Sequence, residues 1–194
     1  MLSIHPSTQH SASTQRVVRK ERSEVMKERQ AGFSLIELLI VVAIILIVAA
    51  IAIPNLLRSR IAANESSAVG SVRTINTAAN NYNSSYGNGL PASLAVMGTA
   101  AAGDTGASCG EALLIDNVLT AGIKTGYIFT YADGPGDTPN AAPAGGCAGF
   151  NLYTINADPV TPGVTGQRHF YSDQTGVIRF NATSVAGPTD APLQ

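Results

Sequence analysis

The 194-residue sequence has no tryptophan, and aromatic residues make up only 6 % of it. A chain so poor in large rings builds a thin core for its size, so the folded part needs a scaffold or neighbours. An excess of base is missing too. Charged residues reach 13 % with a net charge of -1, which removes the basic face that nucleic-acid-binding domains use to neutralise phosphates. Cysteine is limited to Cys109 and Cys147, whose spacing fits no zinc site. The pair suits a disulfide if this part of the chain lies outside the cytoplasm. His169 is the only histidine in the second half, with no serine or cysteine nucleophile motif to serve, and a Walker motif is absent, so catalysis and nucleotide hydrolysis have no candidate residues. Asp133, Asp137, Asp158 and Asp173 lack the regular spacing of an EF-hand and read as solvated turn residues. We expect no metal, no cofactor and no enzyme.

The residues that are abundant are unevenly placed. Six of the twelve basic residues lie before Gly32, against three acids, so the first 32 residues carry +3 and the rest -4. From Phe33 to Ile53 every residue is apolar except Ser34 and Glu37. At the α-helical rise these 21 residues cover about 30 Å, the thickness of a bilayer's hydrocarbon core. Basic residues crowd its N-terminal side, which predicts an N-terminus in the cytoplasm and everything after Pro54 outside.

The helical pattern continues beyond the span. Ile61, Ala68, Val72, Ile75, Ala79, Tyr82 and Tyr86 fall on one stripe, while Arg60, Asn64, Arg73, Asn76, Asn80 and Asn83 avoid it. Tyr86-Gly87-Asn88-Gly89, with Pro91 close behind, is a stop signal. The pattern predicts one helix over 33–86, with Pro54 inside it as a kink or local loosening rather than an end. After Gly89 the sequence breaks into short pieces. Tyr127–Tyr131, Asn151–Ile155, Arg168–Tyr171 and Val177–Phe180 read as strands, the last two joined by a tight turn at Asp173–Gly176. Glu111–Leu119 is ambiguous and suits a short helix, and Ala132–Gly149 reads as a surface loop. The fold class expected is α+β. A long N-terminal helix, membrane-spanning in its first half, packs its second half against a small antiparallel sheet.

One junction is more specific than any of these patterns. Ala31-Gly32 followed by Phe33-Ser34-Leu35-Ile36-Glu37-Leu38 resembles the processing site of the type IV pilin and pseudopilin family. The resemblance extends through the basic leader, the apolar run, Pro54 and the helix to Tyr86. The closing segment His169–Phe180 resembles the last hairpin of many pilin-like heads.

That resemblance implies a division into a removed leader (1–32), a long helix (33–86, with 33–53 transmembrane and 54–86 amphipathic) and a periplasmic or extracellular head (87–194). It implies cleavage by a prepilin peptidase after Gly32, N-methylation of the new terminus Phe33, and an assembly role for Glu37. Pro54 would then be the point where the helix loosens. Glu37 also has a physical argument of its own, because a carboxylate inside a membrane helix costs on the order of 2.5 to 3.5 kcal/mol at the centre and less near an end. A neighbouring subunit's terminal amine would compensate it and set the axial stagger. The partners implied are other copies of the chain, the peptidase, the pilus or secretion assembly machinery and the inner membrane. A surface type IV pilin is the leading function, serving adhesion, motility or DNA uptake. A type II secretion pseudopilin is the alternative. A third possibility is an exported soluble binding domain that loses the apolar run as a signal peptide, with Ala50-Ile51-Ala52 as the cleavage site.

Overall fold

The computed structural model describes residues 32–86, 88–98, 106–144 and 146–193. The leader expected over 1–32 therefore lies outside the described residues, apart from Gly32. The chain divides into two compact units, Met1–Ala49 and Ala50–Gln194.

The described part of the first unit is the beginning of α1 (Leu35–Tyr86), a helix whose 52 residues run without a break through Pro54. Its length and early apolar composition are those of a helix able to cross a membrane.

In the second unit the remainder of α1 packs on an antiparallel sheet. The stripe read from the sequence is the buried face from Ala68 to Tyr82, where Val72, Ile75 and Ala79 are fully inaccessible and Tyr82 nearly so, while Ile61 and Tyr86 at its two ends are half-buried. The buried face is wider than the stripe, however, and takes in Glu65, Ser71 and Asn76. Two short helices follow. In α2 (Leu94–Met97) the hydroxyl of Ser93 accepts from the amide of Val96, and in α3 (Asn117–Thr120) the carboxylate of Asp116 accepts from that of Leu119. Each cap satisfies a backbone donor that a helix start leaves open.

The sheet has six strands among the described residues, in sequential order: β1 (Ile123–Lys124), β2 (Tyr127–Asp133), β3 (Tyr153–Pro159), β4 (His169–Asp173), β5 (Arg179–Asn181) and β6 (Ala191–Pro192). Alternation sets its inner face. Tyr127, Phe129 and Tyr131 of β2 and Tyr153, Ile155 and Ala157 of β3 are buried, and register aligns Phe129 with Ala157 and Tyr131 with Ile155. Phe170 of β4 lies opposite Ala157 and completes the layer against the helix.

Several boundaries differ from those read in the sequence. The strand expected at Asn151–Ile155 begins at Tyr153, because the amides of Asn151 and Leu152 donate to the Asp137 carboxylate at 2.6 and 2.7 Å. The last strand begins at Arg179 rather than Val177. Of the ambiguous segment Glu111–Leu119 only the end is helical, where Asp116 provides a cap. β1, β6 and α2 are not marked in the sequence. Strands of two residues and a helix of four carry no measurable periodicity, and tertiary contacts define them.

Candidate functional site

The first turn of α1 follows from four residues. Ser34 occupies the cap position and Glu37 lies three residues on, the spacing of a capping box. The Ser34 amide donates to Oε2 of Glu37 at 2.9 Å, and its carbonyl accepts from the Leu38 amide at 3.2 Å. Glu37 is thus turned back toward the start of its own helix. A negative charge there is favoured by the unpaired amides and by the helix dipole. The sequence reading singled out Glu37 for its cost in an apolar run but missed this cap, although Ser-x-x-Glu was legible. Among the described residues no cation pairs with Glu37.

Gly32 and Phe33 precede the helix in irregular backbone. Phe33 is 86 % exposed, and a β-carbon at Gly32 would meet nothing within 4 Å. The bond between them therefore lies in accessible, non-helical chain, as a protease requires. Downstream, the large apolar residues from Leu35 to Leu57 are exposed. A helix apolar all round is stable in lipid or among other helices, not in water. Pro54 sits within this stretch and leaves α1 helical on both sides.

In the second unit the other singled-out residues separate. Cys109 and Cys147 form a disulfide that closes a 38-residue separation. The carbonyls of both cysteines are held from the end of α1 and its exit: Tyr82 Oη donates to Cys109 O at 2.7 Å, and Asn88 Nδ2 donates to Cys147 O at 2.5 Å. The bridge thus clips two loops at one place. The four aspartates do not converge on a site. Asp137 accepts the amides of Leu152 and Asn151, which hold its carboxyl below the usual range. Asp173 binds the amide and hydroxyl of Thr175 in the hairpin turn. Asp133 and Asp158 are not turn residues: Asp133 closes β2, paired with Tyr153, so the expected loop from Ala132 starts after it, and Asp158 lies in β3, 2.6 Å from Nδ1 of His169 on β4. That pair spans adjacent strands on the sheet.

Residues that the sequence reading placed on the polar face of α1, or passed over, pin the helix to the sheet. Glu65 is 6 % exposed. Its Oε1 accepts the amides of Gln167 and Arg168, and its Oε2 takes Nε of Arg168 at 2.8 Å. Burial pushes the Glu65 carboxyl up, but these three donors and the guanidinium charge outweigh it, and the net shift is downward. Further along, Asn76 accepts from Tyr153 Oη at 3.0 Å and donates to Ser172 Oγ at 2.9 Å. Burial pushes the Tyr153 hydroxyl up to about 12, so it remains a donor at neutral pH.

Residues 27–53 match the family described as the prokaryotic N-terminal methylation motif. No curated protein and no solved structure matches the chain.

Proposed function

We propose that this chain, which carries the N-terminal methylation motif of type IV pilins and pseudopilins, is the precursor of a subunit that polymerises into a filament through its apolar helix. The observation that carries the reading is the coincidence, within residues 27–53, of the motif with an accessible Gly32–Phe33 bond, a glutamate at the helix start and exposed large apolar residues from Leu35 to Ile53. A prepilin peptidase cuts after Gly32, and Phe33 becomes the N-methylated terminus, retaining its positive charge.

The bilayer then serves as a reservoir. Each helix leaves lipid for the flanks of other copies, so its apolar surface stays out of water throughout. Glu37 supplies register. Its Oε2 is held by its own Ser34 amide, which leaves Oε1 for the ammonium of a neighbouring Phe33. A displaced neighbour would leave two charges unpaired in an apolar setting, costing several kcal/mol per ion. Energy for extraction comes from a separate ATPase. The chain's own contribution is structural.

The test is mass analysis of the mature protein from its native host. A terminus at methylated Phe33 supports the proposal, whereas a terminus at Ile53 assigns the chain to exported soluble domains. Surface filaments containing the protein would place it in a pilus, and periplasmic confinement with loss of secretion on deletion would place it in a pseudopilus.

A further inference from the structure

We propose that a polar cleft at the C-terminal end of α1 binds a neutral carbohydrate. The cleft has a volume of about 430 Å³, within the range of small-molecule sites. Six carboxamides line it: Asn80 and Asn83 from α1, Asn88 from its exit, Asn140 and Asn151 from the loop between β2 and β3, and Gln174 from the β4–β5 turn. No ionisable side chain is among the lining residues.

This chemistry selects its ligand. A phosphate, carboxylate or metal ion needs opposite charge, which the lining lacks. A carboxamide presents a carbonyl acceptor and an NH₂ donor side by side, and a sugar hydroxyl is likewise donor and acceptor. Neighbouring hydroxyls on a pyranose therefore match such a surface in either direction.

One wall is built in advance. Asn140 Nδ2 donates to the Asn88 carbonyl at 3.1 Å, Asn151 Nδ2 donates to Asp137 Oδ1 at 3.3 Å, and Asn88 is fixed on the Cys147 carbonyl beside the disulfide. A β-carbon at Gly149 would collide with the Asn88 carbonyl, so glycine is required for the two segments to meet there. On the opposite side Asn83 and Gln174 are exposed, and neither side chain has a protein partner among the described residues. A rigid wall facing unused donors and acceptors lowers the ordering cost of binding.

The experiment uses the full chain purified in lauryldimethylamine oxide, a detergent without a sugar headgroup, on an array of neutral, sialylated and sulfated oligosaccharides. The strongest neutral sugar retained is then titrated by isothermal calorimetry against wild type and the N83A/Q174A double variant. Retention of a neutral sugar is expected, with affinity reduced about tenfold in the double variant, as two lost hydrogen bonds imply. The melting temperature should be unchanged, because neither side chain supports the fold. Failure to retain any neutral sugar, retention of charged sugars alone, or equal binding by the double variant would each overturn the proposal.

Discussion

Glu65 carries its charge where water barely reaches, and three donors from one short stretch of the β3–β4 connection keep it ionised. Because its folded pKa lies below the unfolded value of 4.5, it stabilises the fold fully above that value and loses this contribution as pH falls through the folded pKa. Glu65→Gln should cost about 2 to 3 kcal/mol at pH 7, less than a fully buried pair because Arg168 is partly solvated. The gap from wild type should narrow from pH 5 to pH 3 in urea titrations. A gap constant over that range would show that the charge contributes nothing. Tyr131 is the opposite case: its ring stacks on Tyr153 at a centroid distance of 5.3 Å, but its buried hydroxyl has no partner among the described residues. Tyr131→Phe keeps the ring and removes an unsatisfied group, so stability should rise by about 1 kcal/mol in the same titration. The burial of Tyr131 between sheet and helix was legible in the sequence; the role of Glu65 was not. Periodicity identifies which apolar side chains share a face, whereas Asn76 and Glu65 are buried because partners from β3, β4 and their connection happen to meet them there.

Legibility improves at the scale of elements, for physical reasons that differ from one element to the next. The helix was readable to its last residue because many turns repeat one stripe and Pro91 and three glycine- or asparagine-rich positions follow it. β2 was readable because alternating aromatics mark a half-buried surface, and β4 because adjacent aromatics, Phe170 and Tyr171, lead into a tight turn. β3 starts two residues later than expected, since a side-chain carboxylate from Asp137 competes for amides that propensity assigns to the ladder, and it runs on to Pro159, beyond the expected end at Ile155. The disulfide acts at this scale too, joining segments that sheet pairing alone leaves apart. Closing a 38-residue separation restrains the unfolded chain by about 4 kcal/mol. The C109S/C147S double variant should therefore melt roughly 10 °C lower by calorimetry. Tyr82 and Asn88 would also lose fixed acceptors, so amide exchange should quicken near residues 109 and 147 before it does in β2–β4. An unchanged melting temperature would mean that the loops are held by those hydrogen bonds alone.

For the whole molecule, the decisive quantity is the fate of one charge when apolar surface moves from lipid to protein. Glu37 is held at its helix start by Ser34 whether or not a neighbour is present. Removing the carboxylate therefore affects two interactions of different size. The local cap is worth about 1 kcal/mol and concerns a helix that burial in lipid already stabilises. The pairing with a neighbour's amine, if the proposed assembly holds, carries the desolvated charge of Phe33 as well, so its loss costs several kcal/mol at every subunit added. Glu37→Gln keeps the shape and an acceptor for Ser34 while deleting the charge. The variant should accumulate in the membrane at wild-type level, be cut after Gly32 at the normal rate, and yield fewer than about one tenth of the filaments, since each 1.4 kcal/mol lost per contact is already tenfold in the association constant. Immunoblotting for precursor and mature forms, together with filament counts by electron microscopy, separates these effects. Uncut precursor would place the role of Glu37 in recognition by the peptidase, and normal filaments would show that apolar packing sets the register without it.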